Sequence, residues 1–157
     1  MQFTLDKGHF ITGVNVANYV RSVLVMLGAQ EDVAKVMNYI AGDNGLMDMD
    51  NIIPLPKETD VDIHHWKINN WGSTDALDCI RNKDNTISFS TSWTAPLKVI
   101  EALVKKFPEV GFRYYWATDD RGADSGLQLW EDGELIEEVR PYSLVYRYCW
   151  NSLTLIA

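Results

Sequence analysis

The chain predicts an α+β sandwich: an antiparallel sheet with two helices on one face and an added C-terminal β-hairpin. Three observations carry this. Residues 16–27 and 86–93 are rich in β-branched or alternating apolar residues, as strands are. Each is followed by a segment with apolar residues at helical spacing, 31–40 and 97–107. Asp132-Gly133 joins two short strand-like runs in the pattern of a type I′ hairpin. Two split strand–helix–strand units followed by a hairpin make a ferredoxin-like split βαβ sandwich. The name describes topology, because two cysteines cannot ligate an iron–sulfur cluster of the four-thiolate kind.

Val16 to Leu27 is the first strand, carried by Val16, Val20, Val23 and Val25, and Gly28 ends it. Glu31 and Asp32 favour a helix N-terminus there, and Val33, Val36, Met37 and Ile40 form one apolar face. Gly42 and Asn44-Gly45 close that helix. Residues 43–62, with Pro54 and Pro56, connect to a second strand at Ile63–Asn69, where Trp66 and Ile68 share a face. Thr74 to Ile80 reads as a short helix. Thr86 to Trp93 is the third strand, with Ile87 and Phe89 pointing one way and Ser88 and Ser90 the other. Thr94 is expected to cap the next helix, with Ala95 and Pro96 in its first turn. Leu97, Ile100, Leu103, Val104 and Phe107 are its expected buried face, and Pro108 stops it. Phe112 to Thr118 is the fourth strand, and Leu127–Glu131 with Glu134–Val139 form the hairpin. Residues 1–15 form an N-terminal extension, 16–140 the ferredoxin-like domain, and 141–157 a tail that packs back as an extra strand or short helix.

The formal net charge of −8 disfavours direct binding to nucleic acid and to anionic membranes, both of which call for clustered Lys and Arg. No apolar run approaches membrane-spanning length, and Asp6, Lys7, Gly8 and His9 interrupt any signal-peptide core. A cytoplasmic location follows as the expectation. Cys79 and Cys149 are then expected to stay reduced and buried, a disulfide between them being the alternative.

Several ordered segments resemble a known family: "ANYV" at 17–20, "EDVAKVMNYI" at 31–40, "IIPLP" at 52–56, "NNWGS" at 69–73, "FSTSWTAP" at 89–96, "FP" at 107–108 and "EDGELIEE" at 131–138. In order and spacing they are similar to the YubB-type ferredoxin-like proteins of phages, prophages and conjugative plasmids, over about residues 16–140. The chain departs from the family's longer Asn-Trp-Gly-Thr-Lys-Trp-Asp-Ala-like run. It reads Asn70-Trp71-Gly72-Ser73-Thr74-Asp75-Ala76, without the second tryptophan. The resemblance implies a ferredoxin-like fold and a mobile-element setting.

Trp71 and Trp93 anchor two of these motifs. One reading is a small pocket between the indoles, with Asn70, Ser73, Thr91 and Ser92 supplying hydrogen bonds to a small molecule or nucleotide. The simpler reading is a structural joint between strands and helix starts. His64 and His65 would point to opposite faces of a strand and lack zinc-type spacing, so no metal is expected. Asp119, Asp120 and Asp124 surround Arg121-Gly122 out of register for a calcium loop. No phosphate loop, nucleophile elbow or catalytic triad spacing is present, so no cofactor and no enzymatic activity are expected. Residues 43–62 hold six acids and one Lys, and 119–138 hold eight acids and one Arg. Such runs form solvated edges, or an acidic face that meets a basic groove on another protein. Tyr114 and Trp116 could stack bases on a sheet, or simply fill the core. The resulting expectation is a non-enzymatic accessory protein of a phage or mobile element. It would bind a host protein such as a nucleic-acid-binding defence enzyme, as an anti-CRISPR or anti-restriction inhibitor does.

Overall fold

The computed structural model describes residues 18–120, 124–142 and 144–152. The predicted N-terminal extension at 1–15, the Val16 start of the first strand, His9, Arg121-Gly122 and the end of the tail lie outside them. The elements run β1 (Tyr19–Leu27), α1 (Gln30–Ile40), α2 (Met49–Ile52), α3 (Ile63–Asn70), β2 (Leu77–Asn82), β3 (Thr86–Ser92), α4 (Leu97–Lys106), β4 (Gly111–Thr118), β5 (Ser125–Glu131), β6 (Glu134–Val139) and α5 (Val145–Asn151).

The six strands form one sheet in the order β2-β3-β1-β4-β5-β6, with every neighbouring pair antiparallel. β1 and β2, joined through α1, α2 and α3, lie on either side of β3. β3 and β4, joined through α4, lie on either side of β1. This is a ferredoxin-like α+β fold in which the hairpin adds two strands beyond β4. No helix among the described residues is long and apolar enough to cross a membrane.

Alternation along the central strands separates two cores. Val20, Leu24 and Met26 of β1, with Phe112, Tyr114 and Trp116 of β4, join the main cluster. There they meet Val33, Val36, Met37 and Ile40 of α1 and Val99, Ile100, Leu103 and Val104 of α4. Burying those two helix faces is what fixes α1 and α4 on the sheet, since each apolar side chain removed from water contributes about 1.5–3 kcal/mol. Val23 of β1 and Ala117 of β4 belong to a second, smaller cluster with Val145 and Cys149 of α5. The tail is therefore a short helix, one of the two expected forms.

Two elements differ from the sequence reading. Residues 63–70 form helix α3, because the Asp62 carboxylate accepts the His65 backbone N–H at 3.2 Å and starts a helical turn. Trp66 and Ile68 share no strand face; Trp66 packs edge-on against Trp71 at 5.9 Å between centroids. Residues 77–82 are edge strand β2 where a helix over 74–80 was expected, because the open edge of β3 supplies backbone partners. The start of α4 also differs. Pro96 holds the N-cap position, without a side-chain cap, and the Thr94 hydroxyl instead donates to the Gly72 carbonyl. Leu97 and Phe107 are only partly buried, and Val99 takes a core position instead.

Candidate interaction surface

Of the residues expected to form a site, Asn70, Trp71, Ser73, Thr91, Ser92 and Trp93 gather at the joint where α3, β3 and α4 meet, and most of these are internal to it. Trp71 is buried, and its indole Nε1 donates to the Ile53 carbonyl at 2.8 Å. Ser73 is buried and donates to the Thr94 carbonyl at 2.7 Å, an acceptor shared with the Thr91 hydroxyl at 2.9 Å. The Ser92 N–H donates to Thr74 Oγ1 at 3.1 Å, and Asn70 Nδ2 to the Trp66 carbonyl at 2.9 Å. Lys98 reaches across to the Asn69 carbonyl at 2.6 Å. These polar groups hold one another, so the joint is a rigid hydrogen-bonded base. Trp71 and Trp93 face different surroundings: Trp71 is sealed in the core, whereas Trp93 is 49% exposed.

Trp93 is the unusual member. Its φ of 71° lies in the left-handed region, which a bulky residue adopts only when its surroundings hold it there. Its N–H donates to the Asn18 carbonyl at 2.6 Å, which ties it to the start of β1. Tyr19 is paired with Ser92 across the sheet, and Tyr19 and Asp119 exchange backbone and side-chain contacts. The Asp119 N–H donates to the Tyr19 carbonyl at 2.9 Å, and the Tyr19 N–H to Asp119 Oδ2 at 3.3 Å. Trp93, the partly exposed Tyr19, and the exposed Asp119 and Asp120 thus sit at one end of the sheet. Asp124 is committed differently, to a two-point pair with Arg140 at 3.1 and 3.2 Å. Trp93, Tyr19, Asp119 and Asp120 together give one end of the sheet both aromatic and acidic side chains, a combination that suits a cationic partner group such as Arg.

The remaining candidates resolve as follows. Tyr114 and Trp116 are fully buried in the helix-side core, ring centroids 5.3 Å apart, so neither offers a face for stacking bases. His64 and His65 are exposed on α3, and His65 Nδ1 contacts Asp62 at 2.8 Å. Both cysteines are free. Cys79 packs on the helix-side cluster and Cys149 on the outer one, with the sheet between them.

Sequence reasoning missed Arg21, which is fully buried on the outer face of β1. Its guanidinium donates to Ser152 Oγ at 2.9 Å, Ser90 Oγ at 3.0 Å, Ser88 Oγ at 2.8 Å and the Asp78 carbonyl at 2.9 Å. A bulge at Asp78–Cys79, with Asp78 at φ 51°, lies where that carbonyl meets Arg21. Burial pushes the guanidinium below its ordinary pKa, opposed by Asp78. The available signal was the alternation itself: Ser88 and Ser90 share a strand face and pair opposite β1. Beside Ser152, a pocket of about 430 Å³ opens between Tyr148, Val23, Thr86, Asn82 and Asp84.

A family model described as the ferredoxin-like domain in Api92-like protein matches residues 66–143. Among solved structures, the crystal structure of a protein Api92 from Yersinia pseudotuberculosis is 17% identical, with a TM-score of 0.43. The match covers 60% of this chain and 39% of that one, so the aligned region spans about two-fifths of the length of that protein. No protein among the curated sequences matches.

Proposed function

We propose that this protein is a non-enzymatic accessory protein of a phage or mobile element that binds a host protein. Trp93 and the carboxylates at the same end of the sheet, Asp119 and Asp120, are the centre of contact. The observation that carries this reading is Trp93 itself: a half-exposed tryptophan held at φ 71° at the same end of the sheet as the exposed Asp119 and Asp120. A large apolar residue kept at the surface in a strained conformation is poorly explained by folding alone. Tryptophan is also among the residues that most often dominate binding energy at protein interfaces. Exposed carboxylates at the same end of the sheet favour a partner that presents Arg or Lys. A nucleic-acid-binding defence enzyme has a groove of that chemistry, so inhibition of an anti-CRISPR or anti-restriction type is the specific form proposed. The two interleaved crossovers are read as the split βαβ pair of the fold. The mobile-element setting and the cytoplasmic location are proposed from the motif resemblance to YubB-type proteins.

Affinity purification from host lysate with mass spectrometry tests this. The wild-type protein should retain a stoichiometric basic partner. Trp93→Gly, which suits a left-handed φ, should lose that partner while the melting temperature holds. Asp119→Lys with Asp120→Lys should lose it too. No partner across relevant hosts, or the same partner on all three proteins, would refute the proposal.

A second reading, a small-molecule binder, has its support in the pocket at Tyr148 and not between Trp71 and Trp93. A metabolite that raises the melting point of the wild type but not of Tyr148→Ala would establish it.

A further inference from the structure

A sheet edge leaves one row of backbone N–H and C=O groups without strand partners, and proteins normally blunt such an edge. β6 is an edge of this sheet, and among the described residues nothing pairs with its outer side. Its defences are visible. Glu131, Asp132, Glu134, Glu137 and Glu138 are all exposed, and no Lys or Arg lies between 131 and 139. Leu129 pairs with Glu137 and Trp130 with Leu135, so Ile136 is the extra residue of a bulge. In a chain of net charge −8, these features prevent the edge from pairing with another copy of itself.

They do not account for the apolar residues. Leu135 is 43% exposed and Ile136 58% exposed, at the middle of the edge strand, where protection alone would place polar side chains. Beside them, a groove of about 280 Å³ runs between α4 and the hairpin, with Leu97, Trp130 and Leu135 as its apolar walls. Gln128 and the charged Lys98, Glu101, Lys105 and Glu134 form the polar part of its lining. Glu134 also acts on Lys105, helping Glu101 to hold that ammonium above its ordinary pKa. A strand laid along β6 would send every second side chain to the helix face, over this groove, and the others to the opposite face beside Glu137.

We propose that β6 accepts a seventh strand from a partner protein: an extended segment in which apolar residues alternate with Lys or Arg. Main-chain hydrogen bonds to the free edge supply the docking, the groove takes the apolar side chains, and the hairpin carboxylates select the basic ones. The carboxylates that reject a second copy of this chain are the ones that attract this segment. This surface is separate from the Trp93 end, and the inference stands whether or not Trp93 binds a partner.

The test uses the full chain and a fluorescently labelled eight-residue peptide of alternating Val and Lys. Three control peptides accompany it: alternating Val and Glu, the Val–Lys peptide N-methylated at every second residue, and a Lys–Ser peptide of the same charge. The Val–Lys peptide should bind saturably, and hydrogen exchange of the Glu134–Val139 amides should slow. N-methylation, Ser for Val, Glu for Lys, or the variant Glu134→Lys, Glu137→Lys, Glu138→Lys should each weaken binding about tenfold or more. Absence of binding at millimolar peptide would overturn the proposal. So would equal binding of the N-methylated peptide, which would show that main-chain hydrogen bonds do not hold the segment, or of the Lys–Ser peptide, which would reduce the contact to charge attraction alone.

Discussion

Gly126 makes a sharp test of how the helix-side core is packed. It lies opposite Trp116 in the β4–β5 register. An ideal Cβ built at Gly126 would lie 2.5 Å from Trp116 Cη2 and closer still to Cζ2. No real Cβ tolerates that approach, so one of the two must move. The indole has little freedom to do so. It is fully buried, stacked on Tyr114 at 5.3 Å, and has the Arg140 guanidinium 5.4 Å from its centroid. Tyr114 is itself tied to the Ser22 hydroxyl at 2.8 Å. Overpacking of a rigid site costs about 1–3 kcal/mol, and a pinned indole places Gly126→Ala at about 2–3 kcal/mol. For a chain of this size each kcal/mol moves Tm by about 2–4 °C, so the midpoint should fall by ~4–12 °C. Urea unfolding should show a lower midpoint at unchanged slope. The companion variant Trp116→Leu removes the clashing atoms. In that background the penalty of Gly126→Ala should shrink to less than half, since coupled neighbours are not additive. An unchanged Tm, or an equal penalty in both backgrounds, would refute the steric reasoning.

Burial pushes the Cys149 thiol up to about 12, with Arg21 acting in the opposite direction. The unfolded thiol ionises near pH 8.5, so between about pH 9 and 12 the folded state holds one more proton than the unfolded state. Stability should therefore fall as pH rises through that window, by at most about 1.4 kcal/mol per pH unit, and Cys149→Ala should flatten the slope in urea titrations. Arg21→Met should cost about 1–3 kcal/mol, because the Asp78 carbonyl loses its donor, and thiol-reagent labelling of Cys149 should accelerate as α5 loosens. Labelling at the wild-type rate would show that Ser152 does not depend on Arg21 to hold α5. Trp71→Phe should lower stability by about 1–3 kcal/mol in a thermal melt, since it strands the Ile53 carbonyl and leaves a void.

The amino-acid pattern alone determined the elements that rest on long periodic runs. Val33, Val36, Met37 and Ile40 specify α1; Ile100, Leu103 and Val104 specify α4; Asp132-Gly133 specifies the hairpin turn. These patterns are local, and the burial they imply does not depend on which partner covers them. The tertiary structure decided the short segments. Residues 63–70 carry no fully buried side chain, so apolar spacing says little, and the Asp62 cap tips the segment to helix. Residues 77–82 alternate poorly and carry a bulge, and become a strand only because β3 offers an open edge. The same division applies to the site residues. Ser and Thr at 73, 91 and 92 were legible as polar groups near a helix start, yet only the fold shows that they spend their hydrogen bonds inside the joint, on the Thr94 carbonyl and the Thr74 hydroxyl. The burial of Arg21 and the exposure of Trp93 each reverse what their residue types suggest. Both follow from which faces α5 covers and which strand ends stay open, and such choices depend on residues far apart along the chain.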